Sequence, residues 1–258
     1  MFEGGFPVLT DPFFYAVAVP AVLLMGISKS GFGAGFGALS VPLMALAVPV
    51  PQAASIMMPI LLVIDVFGLV AYRRDLDWTL LRFLLPWGLV GIVVGYVGFR
   101  SLDGHLVEGL VGALTLLFLA QRLLVRAQVD GVTPPRWWGA LLTILSGFTS
   151  FVAHTGGPPI NAYLLPMRLP PLRFASTLTV FFFVLNFSKW VPYGALGLLD
   201  GSNMSTALVL LPLAPMGVWL GVRWARRVSP QLFYRLVYVG MFLTGCKLVW
   251  DGFLAPLV

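Results

Sequence analysis

Two stretches of this sequence gather residue types that seldom share a helix. The first, SKSGFGAGFG, starts at Ser28, and the second, AHTGGPPIN, at Ala153. Glycine lets a backbone approach a ligand closely. Consecutive prolines, Pro158 and Pro159, suit the first turn of a helix, where no amide donor is needed. A helix start offers unpaired N–H groups and a partial positive charge, which together favour an anion. The candidate ligands for such an anion are Lys29, Ser30, Gly31, Gly33 and Gly35 in the first stretch. In the second they are His154, Thr155, Gly156, Gly157 and Asn161. Ser28 and Ser40 add hydroxyl donors. Lys29 is a direct anion ligand in this reading, and His154 either binds the anion or titrates with it. The plainer alternatives are close packing through small residues, a Lys29 that snorkels to an interface, and an imidazole satisfied within the core.

A second set of polar residues lies deep in apolar surroundings. Asp65 sits inside LLVIDVFGLV, while Asn186 and Lys189 lie three residues apart inside VLNFSKWVPY. A charge at bilayer depth costs on the order of 3 kcal/mol even on a lenient insertion scale. Asp65 is therefore expected to pair with Lys29 or Lys189, to relay protons, or to form a structural link between two parts of the chain. Trp190 and Tyr193 read as interface anchors. The single cysteine, Cys246, reads as a small buried hydrophobe. Catalytic readings find no footing: His105 and His154 belong to no metal-binding pattern, no nucleophile elbow occurs, and GFGAGFG lacks the GK[ST] ending of a phosphate loop. No cofactor is implied.

The elements that must position these groups follow from composition. Apolar residues make up 59% of the 258-residue chain and charged residues 10%. Its mean hydropathy is +0.94. A soluble domain has no place for so much apolar surface, and lipid is the solvent that fits. The net charge of +6 comes from basic residues between apolar runs, a topology signal rather than a nucleic-acid footprint. Runs long enough to cross fall at about residues 53–72, 80–99, 105–125, 173–194, 205–222 and 231–250. Residues 12–48 and 137–166 are too long for one crossing and are broken by the two polar stretches, so they read as re-entrant hairpins or discontinuous helices. The first residues lack a basic leader region, so the first apolar run is expected in the mature protein.

The two broken stretches align. With Gly26 set against Gly147, GISKSGFGAGFGALSVPL meets GFTSFVAHTGGPPINAYL, Ser55 meets Ser176, and Asp65 meets Asn186. After a five-residue insertion, LLPWGLVGIVVG (84–95) meets LLPLAPMGVWLG (210–221). This is an internal duplication. If each broken stretch returns to its starting side, Lys and Arg in the connections divide nine against one, with Arg100 alone. The nine-residue side is then cytoplasmic, and both termini lie outside. Each half becomes a hairpin plus three crossings, and the odd number of crossings inverts the second half. The fold class expected is thus an all-α polytopic membrane protein of two inverted repeats, about 12–125 and 137–250, forming one transporter domain over 1–258. Its anion site is expected where the breaks meet.

The stretches GxSKxGFGxGxGxLxVPLxA (26–45), QAAxxMxPI (52–60), GFTSFVAHTGGPPxNxYLLP (147–166), VxNFSKWxPY (184–193) and LAPxGVWLG (213–221) resemble the TauE/SafE family of sulfite and organosulfonate exporters. The resemblance covers almost the whole chain. It implies a secondary transporter in a bacterial-type cytoplasmic membrane, without a cofactor, exporting sulfite or a sulfonated compound. Relatives that take up other substrates keep uptake, or a different anion such as a carboxylate, as the alternative. Family members often carry GxGGG where this chain has GFGAGFG. Phe32, Phe36 and Tyr163 are candidate walls for an organic tail. The partners expected are the small anion and the lipid bilayer, with no nucleic acid, and a homodimer is carried as a candidate assembly.

Overall fold

The computed structural model describes residues 8–29, 36–72, 76–101, 103–124, 134–224 and 230–255. Every element among them is helical. Helix α1 (Pro12–Ile27) starts on Asp11, whose carboxylate accepts the Phe13 N–H at 2.9 Å, with Pro12 in the first turn. It ends in a π-helical turn at Ser28 and Lys29. After the first break, a 3₁₀ turn (Phe36–Leu39) leads into α2 (Ser40–Met44). Three long helices follow: α3 (Val50–Tyr72), α4 (Trp78–Ser101) and α5 (Gly104–Leu124). Then come α6 (Arg136–Ala153), the second break and the short α7 (Gly157–Leu164). The chain continues through α8 (Pro171–Ser188), α9 (Trp190–Ala195), α10 (Gly201–Leu210), α11 (Leu213–Trp224) and α12 (Pro230–Val249), and a π-helical turn over Trp250–Leu254 closes it.

The six expected crossings all fall on helices, but α12, at the sixth, is not among those long and apolar enough to span by length and composition. By length and apolar composition α3, α4, α5 and the α8–α9 run are long enough to span, and α10 with α11 makes a fifth span bent by 42°. Pro212 stands at that bend. It supplies no N–H to the carbonyl one turn earlier, which frees the axis to turn. The second broken stretch runs back on itself. Tyr163, near the end of α7, lies so close to Gly139, near the start of α6, that a Cβ there would sit 2.3 Å from its ring.

Close glycine crossings hold the bundle, among them one between α4 and α6 and one between α1 and α11. A Cβ on Gly147 of α6 would lie 2.1 Å from the Gly88 carbonyl oxygen and 2.9 Å from the Gly91 Cα on α4. A Cβ on Gly26 of α1 would lie 2.8 Å from the Gly217 backbone on α11. Only glycine permits such contact, and small residues are how helices approach in lipid. Outward faces are apolar: Val93, Val94 and Val97 of α4, Trp219 of α11, and Phe242 and Leu243 of α12 are all exposed. In a bilayer these surfaces meet acyl chains.

Contacts also sort the helix ends. The Arg136 guanidinium lies over the Phe83 ring, and the Asp77 N–H donates to Thr177 Oγ1 at 3.2 Å. The starts of α4, α6 and α8 therefore share one end of the bundle. At the other end, the Leu9 N–H donates to Thr206 Oγ1 (3.1 Å) and Gln52 donates to Asn203 Oδ1 (3.0 Å). Gly252 packs against Gly109 and the His105 carbonyl there. Arg100, at the end of α4, belongs to this second end, as do both described chain ends.

Three expectations change. Tyr193 is no interface anchor: it is 1% exposed, and its hydroxyl donates to the Phe151 carbonyl at 2.6 Å. Cys246 is exposed on the outer face of α12 rather than buried. Tyr163 is no pocket wall at the break, because its ring fills the notch at Gly139 and meets Phe83.

Candidate functional site

Four helices converge on one buried polar chain. Lys29 arrives at the end of α1, and its ammonium pairs with Asp65 Oδ1 in α3. Asp65 Oδ2 accepts from the Asn186 side-chain amide of α8 at 2.6 Å. The Asn186 oxygen in turn accepts from Lys189 Nζ at 2.8 Å. Lys189 also meets the Ser150 carbonyl (2.6 Å), Ser150 Oγ (2.8 Å) and His154 Nδ1 (3.0 Å). His154 Nε2 lies 2.9 Å from the Ala54 carbonyl of α3. Five predicted or neighbouring polar groups thus form an unbroken series from Lys29 to His154.

Local backbone explains the aim of His154. It closes α6 in the left-handed region, φ 54°, with its N–H bonded back to the Ser150 carbonyl. That conformation costs a non-glycine residue roughly 1–2 kcal/mol. It is held by the ring's contacts to Lys189 and Ala54 and by the Tyr193 ring, whose centroid lies 6.2 Å away at an interplanar angle of 26°. Lys189 and Asn186 lie three residues apart, hence on one helix face.

Exposure separates the members. Asp65 and Asn186 are each 2% exposed and Lys189 is 0%, whereas the Lys29 side chain keeps 23%. Lys29 is the most exposed member. Its ammonium lies 5.9 Å from the centroid of Phe182, and the same ring packs against Gly156 of the second break. Phe182 therefore joins the two breaks. Neither it nor Ser150 was among the residues singled out by sequence, although Ser150 occupies the position of Lys29 when the halves are aligned.

The remaining predicted residues are placed unevenly. Ser30, Gly31, Gly33 and Gly35 lie outside the described residues, as do Phe32 and the side chain of Phe36. Ser28 Oγ accepts the Gly37 N–H at 3.0 Å, which ties the two edges of the first break. Thr155 turns its hydroxyl to the Thr149 carbonyl (3.2 Å). Gly156 is packed against Ser146, Ser150 and Phe182, where a Cβ would come within 2.7–2.9 Å, so close packing accounts for that glycine. Gly157 is half-buried and Asn161 is buried in α7. Pro158 and Pro159 bring no N–H, so the start of α7 offers fewer donors than an ordinary helix start. Ser40 Oγ is enclosed with no hydrogen-bond partner among the described residues. No group of three or more His, Cys, Asp or Glu side chains suited to a metal occurs among them either.

The arrangement presents two amines and one carboxylate within an apolar bundle, with Lys29 its most exposed member.

Comparison with known proteins gives the family. The family described as "Sulfite exporter TauE/SafE" matches residues 18–248. A "Probable inner membrane transporter protein TsaS" of Comamonas testosteroni is 28% identical over 177 residues, 68% of this chain and 73% of that protein. A "Probable membrane transporter protein MamO" of Magnetospirillum gryphiswaldense is 24% identical over 220 residues, 67% of this chain but 35% of that protein, so the match spans about a third of its length. No solved structure matches.

Proposed function

Because the chain belongs to the sulfite exporter TauE/SafE family and is a multi-pass membrane transporter rather than an enzyme, we propose that it exports sulfite, or a closely related sulfonate, across a bacterial-type cytoplasmic membrane. The anion is held at mid-depth between the two breaks. The carrying observation is Lys29, a partly accessible ammonium at the first break, set beside the Phe182 ring of α8, which packs against Gly156 of the second break. Lys29 is the primary ligand, and Asp65, Asn186, Lys189 and His154 set its charge and position.

An inverted duplication underlies the site in this reading, within one transporter domain over 1–258. Its support is reciprocal packing. Gly26 and Gly147 align with each other, as do Gly91 and Gly217, and Gly26 packs on Gly217 just as Gly147 packs on Gly91. The aligned pair Asp65 and Asn186 touch directly. Each half also brings one amine to this pair, Lys29 to Asp65 and Lys189 to Asn186. Alternating access then moves one part against another around a fixed centre. The end of the bundle holding Arg136 and Arg173 faces the cytoplasm, and both termini face outward.

Reconstitution in liposomes tests the function. Sulfite flux above that of empty vesicles, displaced more strongly by sulfonates than by carboxylates, is the expected result. Flux equal to empty vesicles with confirmed insertion rejects the reading, and stronger displacement by a carboxylate moves the cargo to that class.

A further inference from the structure

Hydrogen-bond geometry fixes the charge of the cluster behind Lys29. A carbonyl oxygen only accepts, so His154 Nε2, 2.9 Å from the Ala54 carbonyl, carries a hydrogen. The opposite nitrogen, Nδ1, lies 3.0 Å from Lys189 Nζ. Two N–H groups do not face each other at that distance, so a single proton lies between them. Lys189 already spends two N–H groups on acceptors that offer no proton, the Ser150 carbonyl and the Asn186 oxygen, so the proton shared with His154 is either the third N–H of an ammonium or an imidazolium N–H given to the amine, and both arrangements give the pair one positive charge. The other partners of Lys189, Ser150 and Asn186, are uncharged.

The ionisable groups facing this pair are few. Asp65 faces it from α3 through Asn186, and Lys29 faces it from α1 through Asp65. Tyr193 of α9 stacks on His154 and donates to the Phe151 carbonyl, while Tyr96 of α4 reaches only the Phe151 ring. Residues 30–35 contain no ionisable side chain. Asp65 and Lys29 cancel, and one positive charge is left in a setting where net charge is costly.

Resting on the anion-transport reading, we propose that the site is matched to one negative charge: it takes a monoanion, such as an alkyl sulfonate or hydrogen sulfite, and admits a dianion only together with a proton that parts His154 from Lys189. A dianion without that proton leaves one uncompensated charge at close range, which corresponds to at least about a hundredfold in affinity. Sulfite interchanges between its two charge forms near neutral pH, so this rule selects the form carried.

The test is calorimetric binding of methanesulfonate and of sulfate to the full detergent-solubilised chain. Methanesulfonate stays a monoanion throughout the working pH range, and sulfate stays a dianion. At mildly alkaline pH sulfate is expected to bind at least about a hundredfold more weakly than methanesulfonate. Its affinity is expected to rise about tenfold for each unit the pH falls, while that of methanesulfonate stays level. Asp65→Asn, which adds one positive charge, is expected to narrow the gap by about tenfold or more. Equal affinities in the unaltered chain, or a sulfate affinity that ignores pH, would overturn the inference without any variant. Binding of none of sulfate, methanesulfonate and sulfite would instead overturn the transport reading beneath it.

Discussion

Replacing Asp65 by Asn isolates what holds the site together. Asp65 is 2% exposed, accepts the Lys29 ammonium on one oxygen and accepts the Asn186 amide at 2.6 Å on the other. Asn has nearly the same shape, so little packing is lost. Removing one partner of a buried ion pair costs about 3–5 kcal/mol, because the other charge stays behind without compensation. Lys29, with 23% of its side chain exposed, regains some hydration, which sets the cost near the lower limit, about 3 kcal/mol. The hydrogen bond from Asn186 falls from a charged acceptor to a neutral one, about 1 kcal/mol more. At about 2–4 °C per kcal/mol for a chain of this size, the melting temperature in detergent should drop by about 8–16 °C. Lys29→Met should do similar harm by stranding the carboxylate. The double variant, K29M with D65N, leaves no uncompensated charge at this position and should recover to within about 1 kcal/mol of the parent. Thermal unfolding of the four proteins closes the cycle. A double variant that loses the sum of the two single effects would refute the buried pair.

Other consequences follow from particular contacts. Gly147→Ala drives a Cβ to 2.1 Å from the Gly88 carbonyl, so it should lower stability by about 1–3 kcal/mol or prevent assembly, whereas Gly98→Ala, with nothing within 4 Å, should unfold like the parent. His154→Ala and His154→Gly both delete the ring, but only glycine is at ease at φ 54°, so the glycine variant should be more stable by about 1 kcal/mol in the same melting assay. Cys246, exposed on the apolar face of α12, should react in membranes with a lipid-soluble maleimide and resist a charged one; equal labelling by both would place that face in water.

The apolar runs are legible because lipid demands them; all six fall on helices, and five qualify as spans when α10 and α11 are taken together. The proposed duplication draws on a similar signal: backbone crossings at Gly26, Gly91, Gly147 and Gly217 admit no other residue. The polar chain was legible only in part. Lys29, Asp65, Asn186, Lys189 and His154 stand out as costly residues in apolar runs, but which of them touch depends on how α3 and α8 cross, and no spacing along the chain encodes that crossing. Phe182 and Ser150 escaped notice because a phenylalanine among phenylalanines and a serine on a helix carry no local signal. Gly156 stood out as a ligand-facing glycine, yet it serves packing against Phe182, since both uses ask for the same missing side chain.

If the anion travels on the Lys29 ammonium, the rescued double variant separates its transport from folding. Sulfite flux would be measured in proteoliposomes carrying the parent, K29M, and K29M combined with D65N at matched density. The expected result is saturable flux for the parent and a loss of at least about a hundredfold in both variants, including the one whose stability has returned. Flux within about twofold of the parent in the double variant would contradict it.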